Sequence, residues 1–351
     1  MKKILLLTVL LIPLFSAHAR QAENNYPYRT FFEEAYQVNP AVPAGVLEAV
    51  AYNNTRMRHV NPQVEEPGCT GIPASYGVMG LVLDGKNYFR ENLHMVSALS
   101  SIAVQDIINN PQKNILAYAS AFQQHISSLE STLELPEKIY KTLVALSEIP
   151  VGDNKAGNDF ALNSQIFDVF VFLNNPINQA KYHFPKYSFN LDEIFGENNL
   201  KIFNSPRLFL TEESIENDAG CHYKSLSTKA TCPDYNYANC NWVASPHFSS
   251  RNGTAISALV MHTVQGTYSS CISWFQNTTS QVSTQYVVKS SNGQLCQMVL
   301  EADKAWHVGS ANPYTIGYEH EGYVDDPQWY TEAMYQSSAA LSRDICAAYG
   351  I

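Results

Sequence analysis

Val260-Met261-His262-Thr263 ends an apolar run that starts at Ala255, and Thr315-Ile316-Gly317-Tyr318-Glu319-His320-Glu321-Gly322 follows downstream. The run from Ala255 to Val264 has strand length and no polar alternation. It therefore reads as a central strand covered on both faces, with a histidine at its end. The second stretch alternates instead: Gly317, Glu319 and Glu321 share one face, and Tyr318 and His320 share the other. Between them, Gln285 to Lys289 and Cys296 to Leu300 read as strands joined through Ser291-Asn292-Gly293, a hairpin signal. Ser269 to Phe275 reads as a short helix and Tyr330 to Tyr349 as a long one. Strands mixed with helices predict an α/β unit, a mixed sheet flanked by helices, over 251–351.

Upstream the period changes. Phe31, Phe32, Ala35 and Tyr36 recur at helical spacing, as do Val46, Leu47, Val50 and Ala51. Met95 to Ile108 predicts a helix stopped by Asn109-Asn110-Pro111, and Ile115 to Ile126 predicts another. Pro136 opens one around Ile139, and Phe160 to Leu173 makes one more. Residues 28–182 are therefore expected to form a compact helical domain. From 183 to 250 prolines, asparagines, tyrosines and three cysteines crowd together with little periodicity, which reads as a linker and a lead-in segment. The fold class expected is α + α/β.

At 351 residues the chain is long enough for two cores. With 45% hydrophobic and 15% charged residues it is a folded protein, and its formal net charge of -10 argues against nonspecific nucleic-acid binding. Two lysines, the apolar run Ile4 to Phe15 and Ser16-Ala17-His18-Ala19 read as a secretory leader cleaved near Ala19. The run is too short for a membrane span. The mature chain is expected to be exported, to the periplasm or beyond, without stable membrane insertion. Export permits disulfides. The seven cysteines include the close set Cys221, Cys232 and Cys240, whose spacing favours local disulfides over a zinc knuckle and leaves one cysteine over.

A catalytic zinc takes three ligands from His, Cys, Asp or Glu and leaves a position for water. A nearby carboxylate can then take that water's proton. His262 at a strand end, and Glu319 over a glycine that leaves room for substrate, suit those roles. Each alone also suits an ordinary packed or salt-bridged position. Together with Trp306-His307-Val308-Gly309, in this order, the blocks resemble the N-acetylmuramoyl-L-alanine amidases of the peptidoglycan-recognition and phage-lysozyme type, over residues 251 to 349. The resemblance implies Zn2+ as cofactor, His262 as a metal ligand, Glu319 as catalytic base, and Trp306 and His307 as substrate-binding residues that are not ligands. It also implies a second histidine ligand and then an Asp or Cys after the long helix. The unit is therefore expected to be incomplete at Ile351. Ser283-Thr284-Gln285-Tyr286 has glutamine where the family often has histidine.

The helical half carries a second echo. Val46 to Thr55 followed by Tyr76-Gly77-Val78-Met79-Gly80-Leu81 resembles lytic transglycosylases and goose-type lysozymes. Asn54 stands where that resemblance implies the catalytic glutamate, and an amide cannot serve as the acid that glycoside cleavage requires. Gly77 and Gly80 equally suit a plain turn between helices. The reading is a peptidoglycan hydrolase cutting the bond between N-acetylmuramic acid and L-alanine, with glycan strand and stem peptide as its partners. The alternatives are a noncatalytic peptidoglycan-binding protein, or a glycosidase acting through the first half.

Overall fold

The computed structural model describes residues 26–62, 68–151, 156–210, 215–223 and 245–351. The leader segment, Cys232 and Cys240 lie outside them. Helices dominate up to residue 182: Arg29–Val38, Val46–Thr55, Asn92–Ser100, Val104–Asn109, Pro111–Ser128, Leu135–Leu146, Ala156–Asn174 and Pro176–Tyr182. One expectation shifts for a local reason. The run from Met95 to Ile108 is two helices, because Ser101 adopts a left-handed φ of 59°. There Ser97 Oγ donates to the Ile102 carbonyl, and Ser100 Oγ accepts from Ile102 N. Serine hydroxyls have taken over backbone groups that a continuous helix would use. The helix ends at Asn109, as the Asn109-Asn110-Pro111 stop predicts, and Pro111 also starts the next one: its missing N–H costs nothing in the first turn, and Asn110 Oδ1 accepts from Lys113 N at 3.1 Å.

The strands are β1 (Ser75–Tyr76) and β2 (Leu81–Val82), β3 (Arg207–Leu210), β4 (Ile215–Asn217), β5 (Phe248–Ser250), β6 (Ala258–Thr263), β7 (Tyr286–Val288), β8 (Leu295–Gln297), β9 (Asp303–Ala305) and β10 (Thr315–His320). β1 and β2 form a hairpin within the helical half, and β5 pairs with β9. The other six make one mixed sheet in the order β4-β3-β8-β7-β10-β6. β10 is parallel to both β6 and β7, and β7 and β8 form the expected hairpin.

Two readings are corrected here. β6 is an edge strand of the sheet among the described residues, with Met261 56% exposed, whereas β10 is buried along its whole length. Residues 183–250 are not only a linker: the helices Leu191–Phe195 and Glu197–Phe203 lie there, and β3 and β4 extend the sheet.

The sheet buries different partners on its two faces. Ile316, Tyr318, Tyr286, Val288 and Leu295 pack with Met334, Leu341 and Ile345 of the C-terminal helix, Glu332–Tyr349. Val287, Cys296 and Met298 on the opposite face join Cys271, Ile272 and Phe275 of the helix Tyr268–Gln276, in a cluster that continues through the helical half to Phe32. Polar ties cross the same boundary. Ser273 Oγ donates to Asn158 Oδ1 at 2.7 Å, Ser270 Oγ to Glu148 Oε1 at 2.6 Å, and buried Lys289 pairs with Asp168 at 2.7 Å. The Arg56 guanidinium lies between the Tyr52 and Trp329 rings, 4.7 and 3.9 Å from their centroids. No helix among the described residues is long and apolar enough to cross a membrane.

Candidate active site

Parallel pairing of β6 with β10 sets Glu319 opposite His262. Directly opposed residues on neighbouring strands point to the same face. Val287, the β7 partner of Glu319, belongs to the cluster shared with the helical half. The site therefore opens on the side of the sheet that this half covers. His320 points the other way, to Ser338 Oγ at 2.9 Å, as alternation predicts.

Glu319 is 1% exposed, and its Oε2 is buried without a hydrogen-bond partner. Burial pushes its carboxyl up to about 8, only partly offset by the hydrogen bond from Cys69. Burial also lowers His262, and it lowers His307 to about 4 with smaller contributions from the neighbouring His262 and Arg251. Both imidazoles are thus neutral at pH 7 and keep a lone pair.

The tautomers follow from the hydrogen-bond chain. Thr315 Oγ1 donates to the Ala311 carbonyl at 2.9 Å, so it accepts from His307 Nε2 at 3.1 Å. His307 Nδ1 is then an acceptor and takes the proton of His262 Nε2 at 3.2 Å. This leaves His262 Nδ1 with its lone pair free to face Cys69 Sγ, 3.3 Å away. A second group that fixes the tautomer and ring of a metal-binding histidine is a common device at metal sites.

His307 therefore sits beside His262 rather than free in a groove. The space over Gly317, expected to admit substrate, is filled by the His307 ring: a Cβ at Gly317 would lie 2.5 Å from its Nδ1. Asn312 Oδ1 holds the segment by accepting from His307 N and Val308 N at 3.1 and 2.7 Å. Arg251 donates to four carbonyls, those of Glu301, Asn312, Pro313 and Thr315. Trp306 is half-buried, its Nε1 on Ser249 Oγ at 3.2 Å. Gln285, where a histidine was looked for, is a fully buried tie between strands. Its Oε1 accepts from Gly317 N at 2.8 Å and its Nε2 donates to the Asp303 carbonyl.

Cys69, which no sequence motif singles out, completes the constellation. Its Sγ donates to Glu319 Oε1 at 3.5 Å, and ligand atoms of Cys69, His262 and Glu319 all lie within 4.8 Å of one another. Burial of the sulfur, then the charge of Glu319, push the thiol up to about 12. No disulfide joins any two of the five described cysteines, Cys221 included, so the local pairing expected for Cys221 has no partner among them.

In the helical half, Asn54 Nδ2 donates to the Met79 carbonyl at 3.0 Å. It packs against Gly80, whose φ of 65° belongs to a tight turn. Glu48 is buried and accepts from the Tyr26 and Tyr36 hydroxyls at 3.0 and 2.6 Å. Both are held in packing and hydrogen-bond networks.

Residues 252–351 match the family model described as N-acetylmuramoyl-L-alanine amidase. This part of the chain is similar to that amidase family. The N-acetylmuramoyl-L-alanine amidase A of Achromobacter lyticus is 42% identical over 118 residues, a stretch covering 34% of this chain and 66% of that relative. The chain thus spans just under two thirds of the relative's length. No solved structure matches the chain. The amidase stretch contains His262, Trp306, His307 and Glu319, while Cys69 comes from outside it.

Proposed function

We propose that the protein is an exported peptidoglycan hydrolase that cleaves the amide between the lactyl group of N-acetylmuramic acid and L-alanine. The observation that carries this reading is the pairing of His262 with Glu319 on one sheet face, with the Glu319 Oε2 buried and unpartnered. The donor set fits a zinc ion. Tetrahedral coordination at ordinary zinc–sulfur and zinc–nitrogen lengths puts neighbouring ligand atoms about 3.3 to 3.6 Å apart. Cys69 Sγ, 3.3 Å from His262 Nδ1, would be a second ligand beside it, and Glu319 is kept as the base. A divalent cation also supplies the charge that a carboxyl raised by burial needs to ionise.

His262 Nδ1 would hold the metal, oriented by His307 through its Nε2. A zinc bound there activates water at neutral pH and polarises the scissile carbonyl. Glu319 takes the proton of the attacking water and returns it to the departing alanine nitrogen. Trp306 lines the peptide groove, and His307 acts mainly by fixing His262. The helical half grips glycan rather than cutting it, because Asn54 offers an amide in place of an acid.

The test is digestion of purified peptidoglycan with the full chain. Amidase action releases peptides with free alanine amino termini, and Glu319→Gln should lower that release by about 10²-fold or more. Release of new reducing ends instead, or unchanged release by Glu319→Gln, defeats the proposal. Sedimentation with cell walls and no released fragments would leave the protein a binder.

A further inference from the structure

We infer that Asn252 is a site of spontaneous deamidation, its side-chain amide converting through a cyclic succinimide with Gly253 into an aspartyl or isoaspartyl residue. This goes beyond the amidase reading and does not depend on it. Asparagine is chemically labile where the next backbone nitrogen can reach its side-chain carbonyl carbon, and a following glycine leaves that nitrogen unshielded. The sequence contains two such pairs, Asn252-Gly253 and Asn292-Gly293. The fold treats them oppositely. Asn252 and Gly253 are both exposed, in the connection between β5 and β6. They are the central residues of a tight turn with two positive φ values, 51° and 78°. Its ties are two surface bonds, from Thr254 N to the Arg251 carbonyl and from Asn252 N to Ser250 Oγ, both 3.0 Å. A Cβ at Gly253 would meet nothing within 4 Å. Among the described residues no hydrogen bond reaches Gly253 N or the Asn252 side chain.

Asn292-Gly293 is locked instead. Gly293 is buried, and its N donates to the Lys289 carbonyl at 3.0 Å. Asn292 Oδ1 accepts from Gln294 N at 3.0 Å. A Cβ at Gly293 would run into the Ala333 carbonyl and Ser337 Oγ, so the C-terminal helix lies against this backbone. Cyclisation there must break both bonds and lift the turn off the helix, whereas at Asn252 it needs only the opening of a surface turn. Gly253 N attacks Asn252 Cγ: the N–Cγ bond forms, the Cγ–Nδ2 bond breaks, and ammonia leaves with the proton that Gly253 N gives up. Water then adds to one of the two succinimide carbonyls and opens the ring, giving aspartate from one and isoaspartate from the other. Water is the only co-reactant, and nothing is oxidised or reduced. The product carries a carboxylate one residue from Arg251, which ties together the Glu301, Asn312, Pro313 and Thr315 carbonyls.

The experiment incubates the folded full chain in mildly alkaline buffer and follows both pairs by peptide mapping with mass spectrometry. The Asn252 peptide should gain the mass of an amide-to-acid change and become a methyl acceptor for a protein isoaspartyl methyltransferase. The Asn292 peptide should convert at least about tenfold more slowly, as expected where the open form is populated one part in ten or less. In the urea-unfolded chain the two pairs should convert at similar rates, because the fold alone separates them. An Asn252 peptide that stays unchanged in the folded chain, or equal rates at the two pairs in it, overturns the inference. A difference that persists in urea overturns it too, since the neighbouring sequence would then account for it. Every reading uses the wild type, so none depends on a variant that folds.

Discussion

Placing a methyl group at Gly317 tests the histidine pair directly. The added Cβ would lie 2.5, 2.7 and 2.8 Å from His307 Nδ1, Cε1 and Cγ. Carbon contacts settle near 3.5 Å, so the ring must retreat by about 1 Å. The offending atoms include the root of the ring, so rotation about its end cannot relieve them. That retreat takes the 3.2 Å contact with His262 Nε2 out of hydrogen-bond range. Overpacking costs about 1–3 kcal/mol, and the lost hydrogen bond about 1 kcal/mol. Alanine restricts the unfolded chain more than glycine and returns about 0.5–1 kcal/mol. Gly317→Ala should therefore lose about 1–3 kcal/mol in urea unfolding of the chelated chain. The decisive comparison is a cycle with His307→Ala, which empties the space the methyl needs. The double variant should be more stable than the two single losses predict, by about 1–3 kcal/mol of coupling. An additive cycle, or a Gly317→Ala chain as stable as the wild type, would refute the view that Gly317 is small to admit His307.

Glu48 sets a pH dependence away from the candidate centre. Burial raises its carboxyl above the ordinary value despite the Tyr36 and Tyr26 hydrogen bonds. The folded state therefore holds a proton that the unfolded state releases, and stability falls as pH rises between the ordinary carboxyl value and the raised one. The slope contributed is at most about 1.4 kcal/mol per pH unit, and Glu48→Gln should remove it in unfolding curves taken across that window. Lys289→Met should cost about 3 kcal/mol, because it strands the Asp168 carboxylate it pairs with at 2.7 Å across the two halves. Adding Asp168→Leu should recover most of that loss, and a double variant no better than Lys289→Met alone would show that the pair is not what the site needs.

Much of the sheet was legible from local pattern. The alternation in β10 sent Glu319 and His320 to opposite faces, and Ser291-Asn292-Gly293 marked the turn between β7 and β8. The last helix begins beside Thr331, whose side chain accepts from Met334 N. The edge position of β6 was not legible, because an apolar run tells which faces are covered and not which neighbour completes the ladder. β3 and β4 escaped for a related reason: strands of four and three residues carry too little alternation to register.

The site shows the same division more sharply. His262 and Glu319 could be paired because each lies in a motif and the two motifs form adjacent strands. Gly317 was noticed but assigned to substrate, since sequence shows that room is needed without showing for what. Cys69 lies 193 residues from His262 and in no pattern of its own; only an odd cysteine count set any thiol apart. Its position depends on Trp274, on the Gly68 approach to Val264 and on the docking of the helical half along the sheet face that bears Glu319. The centre and the interface between the halves are therefore parts of one arrangement. Anything that loosens the Arg56, Lys289 or Ser270 ties across that boundary also loosens the hold of Cys69 on His262 and Glu319.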